Sequence, residues 1–221
     1  MSDILPHAVV SGRTDARHWR VVLGSLRATF RTGSFARGAE LVAAVAAAAD
    51  ELDHHPDVLL RYGTVTVTTV SHDVGALTER DVELARRVSA LADERGVDAD
   101  PRAPRMLEIA VDTQDVAAVL PFWQAALGYE RDPHDAERLV DPAGEGPCVW
   151  FQHMDSPRPQ RNRIHVDVDV PHDVAPERLD AVLTAGGRLV SDRRAPAFWV
   201  VADAEGNEVC LCTWKGRGQG D

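Results

Sequence analysis

A chain of 221 residues with 44% apolar and 27% charged side chains has the composition of a soluble globular protein, long enough for two compact domains or one large one. Its formal net charge of -11, without any run of Lys or Arg, argues against a nucleic-acid partner, because binding to a phosphate backbone is carried by clustered positive charge. The longest strongly apolar run, residues 41–49, falls well short of the roughly 20 residues that span a bilayer, and the start Met1-Ser2-Asp3-Ile4-Leu5-Pro6 lacks the basic stretch and apolar core of a secretory signal, so no membrane partner and a cytoplasmic location are expected.

Residues 1–17 are weakly patterned, and order begins at His18-Trp19-Arg20-Val21-Val22. Residues 25–31 alternate Leu26, Ala28 and Phe30 with polar side chains, the period of a half-buried strand. Ser34 can then cap a helix in which Phe35, Ala39, Val42, Val45, Ala46, Ala49 and Leu52 recur at spacings of three and four. That helix runs out at Asp50-Glu51-Leu52-Asp53-His54-His55-Pro56-Asp57. Pro56 cannot extend it and pushes the residue before it out of helical geometry, so two imidazoles stand where helix gives way to strand. A strand over 58–62, a turn at Gly63 and a β-branched strand over 64–70 follow, with His72 just beyond. Thr78-Glu79-Arg80-Asp81 has the form of a capping box and starts a helix that turns Val82, Ala85, Val88 and Leu91 inward.

Residues 93–105 combine Gly, two prolines and alternating charge, and read as a linker between domains. The expected organisation is a first domain over 1–95, a linker over 96–105, a second domain over 106–215 and a tail over 216–221. In the second domain the pattern predicts a strand over 107–111, a helix over 115–127 that Pro121 either kinks or starts late, and Gly128 as its stop. Strands around 138–140 and 148–154 follow. The scheme then recurs as a strand over 164–170, a helix over 176–185 and strands at 188–190, 198–202 and 208–213. The predicted fold class is α+β: a small antiparallel sheet with helices on one face, then paired βαβββ modules. Cys148, Cys210 and Cys212 are odd in number and lack the CxxC spacing of a zinc site, so buried reduced thiols are expected.

The first half resembles the pterin-4a-carbinolamine dehydratase family over about residues 19–91. The resemblance is carried by Asp50 four residues before His54-His55-Pro56, the aromatic Tyr62, Ser71-His72-Asp73 and Leu77-Thr78-Glu79-Arg80-Asp81. It implies dehydration of a 4a-hydroxytetrahydropterin to the quinonoid dihydropterin, a hydro-lyase step in tetrahydrobiopterin recycling, in a homodimer or higher oligomer, without metal or organic cofactor. Such chemistry suits imidazoles, whose unperturbed pKa of about 6.5 lets them give and take protons near neutrality. The expected roles are His54 and His72 as the proton-transfer pair, His55 as a hydrogen bond to substrate and Asp81 as the group that fixes or charges a histidine. Asp50, Pro56, Tyr62 and Trp19 are the expected substrate-binding residues, with Asp50 orienting the His54 ring one turn on and with Trp19 and Tyr62 serving as pocket wall or as packing.

The second half resembles glyoxalase-like domains of the vicinal oxygen chelate superfamily, through Phe122-Trp123-Gln124-Ala125-Ala126-Leu127-Gly128-Tyr129, Trp150-Phe151-Gln152, Arg163-Ile164-His165-Val166-Asp167 and Asp203-Ala204-Glu205-Gly206-Asn207-Glu208. Catalytic members hold a divalent ion with His and Glu from both modules. Here only His165 stands at such a position, Met106 occupies another, and Cys210 falls where a carboxylate is usual. A hard ion wants more oxygen and nitrogen than this, so a metal-free pocket or structural partner is expected, with His165 as a polar core or pocket residue. Two other readings stay open: a non-catalytic binding or oligomerisation module, and a metal-dependent lyase or dioxygenase in the second half.

Overall fold

The computed structural model describes residues 4–157, 160 and 164–216. The chain divides into two compact units, Met1–Met106 and Leu107–Asp221. In the first, α1 (His7–Arg13), β1 (Trp19–Val22), β2 (Ser25–Arg31), α2 (Phe35–Leu52), β3 (Asp57–Arg61), β4 (Thr64–Thr69) and α3 (Glu79–Glu94) build a four-stranded sheet of order β1-β2-β4-β3, antiparallel throughout. Period-two alternation sends Leu26, Ala28 and Phe30 of β2 and Val65 and Val67 of β4 to one face, where Leu41, Val45 and Ala49 of α2 and Val82, Ala85 and Val88 of α3 cover them. The opposite face is hydroxyl-rich, and the Thr29 and Thr66 side chains hydrogen-bond across it at 3.1 Å.

Two segments differ from the sequence expectation. Residues 7–13, read as unpatterned, form a helix that buries Val10, and Leu5 N–H reaches the Leu77 carbonyl at 2.8 Å. Seven residues are too few for helical periodicity to stand out, and tertiary packing supplies the stability instead. Part of the expected linker belongs to the first sheet: Arg31 N–H donates to Asp98 O and Asp100 N–H to Thr29 O, each at 2.7 Å, while Val97 is buried. The cause is β1, which pairs only as far along β2 as Ala28 and leaves the next backbone groups to find partners elsewhere.

The second unit is a structural repeat. β5 (Glu108–Thr113), α4 (Val116–Leu127), β6 (Glu130–Asp132), β7 (Asp135–Val140) and β8 (Cys148–His153) form a sheet of order β5-β8-β7-β6. β9 (Val166–Asp169), α5 (Ala175–Thr184), β10 (Arg188–Arg194), β11 (Phe198–Ala202) and β12 (Glu208–Cys212) repeat the plan as β9-β12-β11-β10. In each module the first strand lies parallel to the last and the remaining pairs are antiparallel. The architecture is α+β with paired βαβββ modules. α4 runs from Val116 through Pro121 without a break, its N-terminus capped by the Asp115 carboxylate on Ala117 N–H and Ala118 N–H. β9 is shorter than the strand expected over 164–170, and Arg163 lies outside the described residues, as does the tail beyond Gly216.

The two modules share a core in which Val111, Phe122, Trp123, Leu139 and Val149 meet Val182, Val201, Val209 and Leu211. The turn after β11 ties them together: buried Asp203 accepts from Trp123 Nε1–H at 3.0 Å, and Glu205 accepts from the Thr113 hydroxyl and the backbone N–H groups of Gln114 and Asp115. Among the described residues no helix is long and apolar enough to cross a membrane. Gly187, between α5 and β10, sits so close to α4 and α5 that an added methyl would lie 2.8 Å from the Val182 carbonyl oxygen and 2.6 Å from the Phe122 ring. Backbone cannot yield as a side chain can, so Gly187→Ala is expected to destabilise the second domain by about 1–3 kcal/mol, measured as a lower midpoint of urea unfolding followed by tryptophan fluorescence.

Candidate functional site

The site begins at the end of α2. Asp53 adopts the left-handed conformation (φ 47°) as the C-cap, and the N–H groups of Asp53 and His54 both return to the Ala49 carbonyl. Aspartate tolerates this region better than most residues, because its short polar side chain bonds locally. The reversal delivers His54 and His55 in succession to the start of β3, pointing opposite ways. His54 is only 5% exposed, whereas the His55 side chain is 60% exposed.

Inside, His54 meets Asp81. His54 Nε2 lies 2.9 Å from Asp81 Oδ1 and 3.1 Å from the Thr69 hydroxyl, which itself donates to Asp81 Oδ1 at 2.7 Å. The other carboxylate oxygen accepts from the Ser71 hydroxyl and from Thr78 N–H, both at 2.8 Å. Asp81 is fully buried. Burial works against its charge, but the hydrogen bonds from Thr69, Thr78 N–H, His54 and Ser71 outweigh that and hold its carboxyl below the usual range. An ionised carboxylate only accepts, so Nε2 of His54 carries the hydrogen and Nδ1 is its basic nitrogen. The expected capping box is present, and the same carboxylate that closes it on Thr78 N–H also holds the histidine. The two readings of Asp81 are therefore not alternatives.

His54 also forms part of the wall of a shallow cleft of about 190 Å³, with Leu52, Glu79, Arg80 and Glu83. Arg80 pairs with Asp73, whose carboxyl it holds below the usual range by hydrogen bonding. Asp73, next to exposed His72 in the chain, is thereby tied to a residue of the cleft wall.

Three expectations change. Asp50 pairs with His55, at 2.9 Å, and not with His54: the left-handed turn at Asp53 carries the His54 ring inward, away from the exposed side of α2. Trp19 is a core residue, 2% exposed, its Nε1–H donating to Ala85 O at 3.1 Å and Ser89 Oγ at 3.0 Å, so it is no pocket wall. Tyr62 is 83% exposed at the β3–β4 turn, the length of β3 away from the histidines within this chain. Pro56 is half-buried where β3 begins. Thr69 was not singled out from sequence, although a signal existed: the inward positions of β4 read Val65, Val67 and then Thr69, a change from apolar to hydroxyl where the strand reaches the histidine.

In the second unit the register assembles another group. Asp167 of β9 lies opposite Cys210 of β12, and the His165, Asp167 and Cys210 donor atoms all lie within 4.8 Å of one another, with His165 Nε2 3.3 Å from Asp167 Oδ1. His165 does not stand alone. Burial, with hydrogen bonding to Asp167, pushes the Cys210 thiol up to about 12.

Comparison with known proteins agrees with this division. The family profile for pterin 4 alpha carbinolamine dehydratase matches residues 5–91, and that for the glyoxalase-like domain matches residues 108–212. A Streptomyces coelicolor protein provisionally named pterin-4-alpha-carbinolamine dehydratase is 46% identical over 79 residues, 35% of this chain and 78% of its own length. A Mycolicibacterium smegmatis protein of the same provisional name is 38% identical over 73 residues, 33% of this chain and 78% of its own. Among solved structures, a transcriptional coactivator/pterin dehydratase from Brucella melitensis is similar at 27% identity, covering 41% of this chain and 99% of its own with a TM-score of 0.38. A glyoxalase/bleomycin resistance protein/dioxygenase family enzyme from Burkholderia phytofirmans is similar at 15% identity, covering 48% and 95%, with a TM-score of 0.35. The chain belongs to the pterin-4a-carbinolamine dehydratase family, with a glyoxalase-like domain following the dehydratase domain.

Removing the buried carboxylate tests the network. Asp81→Ala leaves Thr69, Ser71, Thr78 N–H and His54 without their acceptor and is expected to cost about 3–5 kcal/mol in urea unfolding. Because the folded-state pKa of Asp81 is depressed, its contribution is fully present above the unfolded value of about 4 and is lost as pH falls through the folded value. Stability measured from neutral pH down through that window should fall more steeply in the native sequence than in Asp81→Asn.

Proposed function

We propose that the first domain dehydrates a 4a-hydroxytetrahydropterin to the quinonoid dihydropterin. His54 and His72 move the protons, His55 hydrogen-bonds the substrate and Asp81 fixes the His54 ring. The observation that supports this reading is the hydrogen bond from His54 Nε2–H to the ionised Asp81 carboxylate, on a residue that lines the cleft with Arg80. In the reaction the C4a–O bond breaks and the leaving oxygen gains a proton to depart as water. The N5–H proton is removed and the C4a=N5 double bond forms. An anion behind one nitrogen stabilises the imidazolium that results when the other takes a proton, so His54 is the base and exposed His72 the acid.

His55, on the solvent side with Asp50 fixing its ring, is the binding contact rather than the proton carrier. A cleft of about 190 Å³ is small beside ligand pockets of roughly 300–1,000 Å³. The edge strand β3 and the exposed Phe35, Leu59 and Tyr62 offer surface for a second copy of the chain, in keeping with a homodimer or higher oligomer. The second domain is the small-molecule-binding partner of the dehydratase domain.

Turnover of a freshly generated carbinolamine by the purified full chain tests the reading. His72→Ala, at an exposed position, and His54→Ala are each expected to lower kcat/KM by about 10²–10⁴, with the circular dichroism spectrum unchanged. His55→Ala is expected to raise KM more than it lowers kcat. Native-like turnover in His72→Ala, or none in the unsubstituted protein, sinks the assignment.

A further inference from the structure

Asp81 divides its two carboxylate oxygens between two tasks. Oδ2 accepts from the Ser71 hydroxyl and from Thr78 N–H, which closes the cap of α3. Oδ1 takes no part in the cap: it accepts from Thr69 Oγ–H at 2.7 Å and from His54 Nε2–H at 2.9 Å. The hydroxyl of Thr69 therefore serves the histidine side of the carboxylate and not the start of the helix.

Nor does the sheet need that hydroxyl. Thr69 ends β4 on the inward face after Val65 and Val67, stands opposite Leu26 of β2 and is 1% exposed. Valine has the same branched outline and fills the two inward positions before it. A buried hydroxyl costs stability unless an acceptor takes its hydrogen, and the acceptor here is Oδ1. Pairing of β4 with β3 stops at Thr68, opposite Asp57, so beyond it the His54 ring lies against Thr69 in place of another strand residue.

The three polar atoms form a closed triangle. His54 Nε2 is 2.9 Å from Asp81 Oδ1 and 3.1 Å from Thr69 Oγ, and the third side is the 2.7 Å hydrogen bond between those two oxygens. A single acceptor leaves a ring free to turn about its hydrogen bond. Two acceptors tied to each other, one of them on a β-branched side chain of restricted χ1, fix the direction of Nε2–H and with it the direction of Nδ1 on the far side of the ring. We propose that Thr69 is a positioning residue for the dehydration assigned to this domain, its hydroxyl locking the His54 ring against Asp81 so that Nδ1 meets the substrate in one orientation, a role that rests on that assignment. The same hydroxyl occupies Oδ1 with a short hydrogen bond to the charged form, which keeps the carboxylate ionised and the ring hydrogen on Nε2.

Thr69→Val, which removes the hydroxyl and keeps the shape, is expected to lower kcat for carbinolamine turnover by the full chain about tenfold, with KM unchanged. Thr69→Ser keeps the hydroxyl and loses the methyl, and is expected to recover kcat even where urea unfolding shows that packing has weakened. In protein labelled with ¹⁵N at histidine, the Nε2–H signal of His54, identified by its loss in His54→Ala, should shift in Thr69→Val and return in Thr69→Ser. Native kcat in Thr69→Val, an unmoved Nε2–H signal, or an equal loss of kcat in Thr69→Ser overturns the proposal. No turnover in the unsubstituted chain is instead a failure of the dehydratase reading; the Nε2–H signal then decides by itself whether Thr69 holds the ring. Should Thr69→Val not fold, Thr69→Ala set against Thr69→Ser makes the same comparison of hydroxyl present and absent.

Discussion

A carboxylate removed from water must find several hydrogen-bond donors at once, and in the first domain that requirement draws distant segments of chain to one point. Asp81 takes hydrogens from the end of β4 through Thr69, from the following turn through Ser71, from the N-cap of α3 through Thr78 N–H, and from the segment just after α2 through His54. Each donor belongs to a different piece of secondary structure, so the anion is both a helix cap and the clamp that fixes where the imidazole stands. Because the carboxyl keeps its charge, it accepts from the ring at a fixed place and sets which imidazole nitrogen faces it. Structure and proposed chemistry thus rest on one side chain.

The left-handed residue at the end of α2 is the second half of that device. Without the reversal at Asp53, residues 54 and 55 would continue the turns of α2 instead of facing opposite ways at the start of β3. With it, one ring enters the clamp and its neighbour faces solvent beside Asp50. A single uncommon backbone conformation therefore separates two chemically identical side chains into different roles.

The second domain works by duplication. Both modules run their first strand parallel to their last, and the register places an acid across from a cysteine in each. What differs is the third member, an arginine in one module and a histidine in the other. One arrangement carries its own positive charge, and the other presents nitrogen, oxygen and sulfur donors together. The turn holding Asp203 and Glu205 fastens the halves to each other through buried hydrogen bonds, so these faces are set by the fold and not by loose loops.

The sequence by itself determined the order of most elements, the repeat of the βαβββ plan, the capping box and the histidine pair at a helix end, since all of these are local: they depend on periodicity, on proline and glycine, and on neighbours within a few residues. It did not reveal the short helix over residues 7–13 or the joining of residues 97–100 to β2, where packing and unpaired backbone groups override weak local preference. Tertiary structure decided which histidine Asp50 holds, that Trp19 belongs to the core, that Thr69 completes the shell around Asp81, and that His165, Asp167 and Cys210 meet. Those are questions of which side chains converge across strands and turns. The register of separate strands and one left-handed residue answer them, and neither is written in the spacing of residues along the chain.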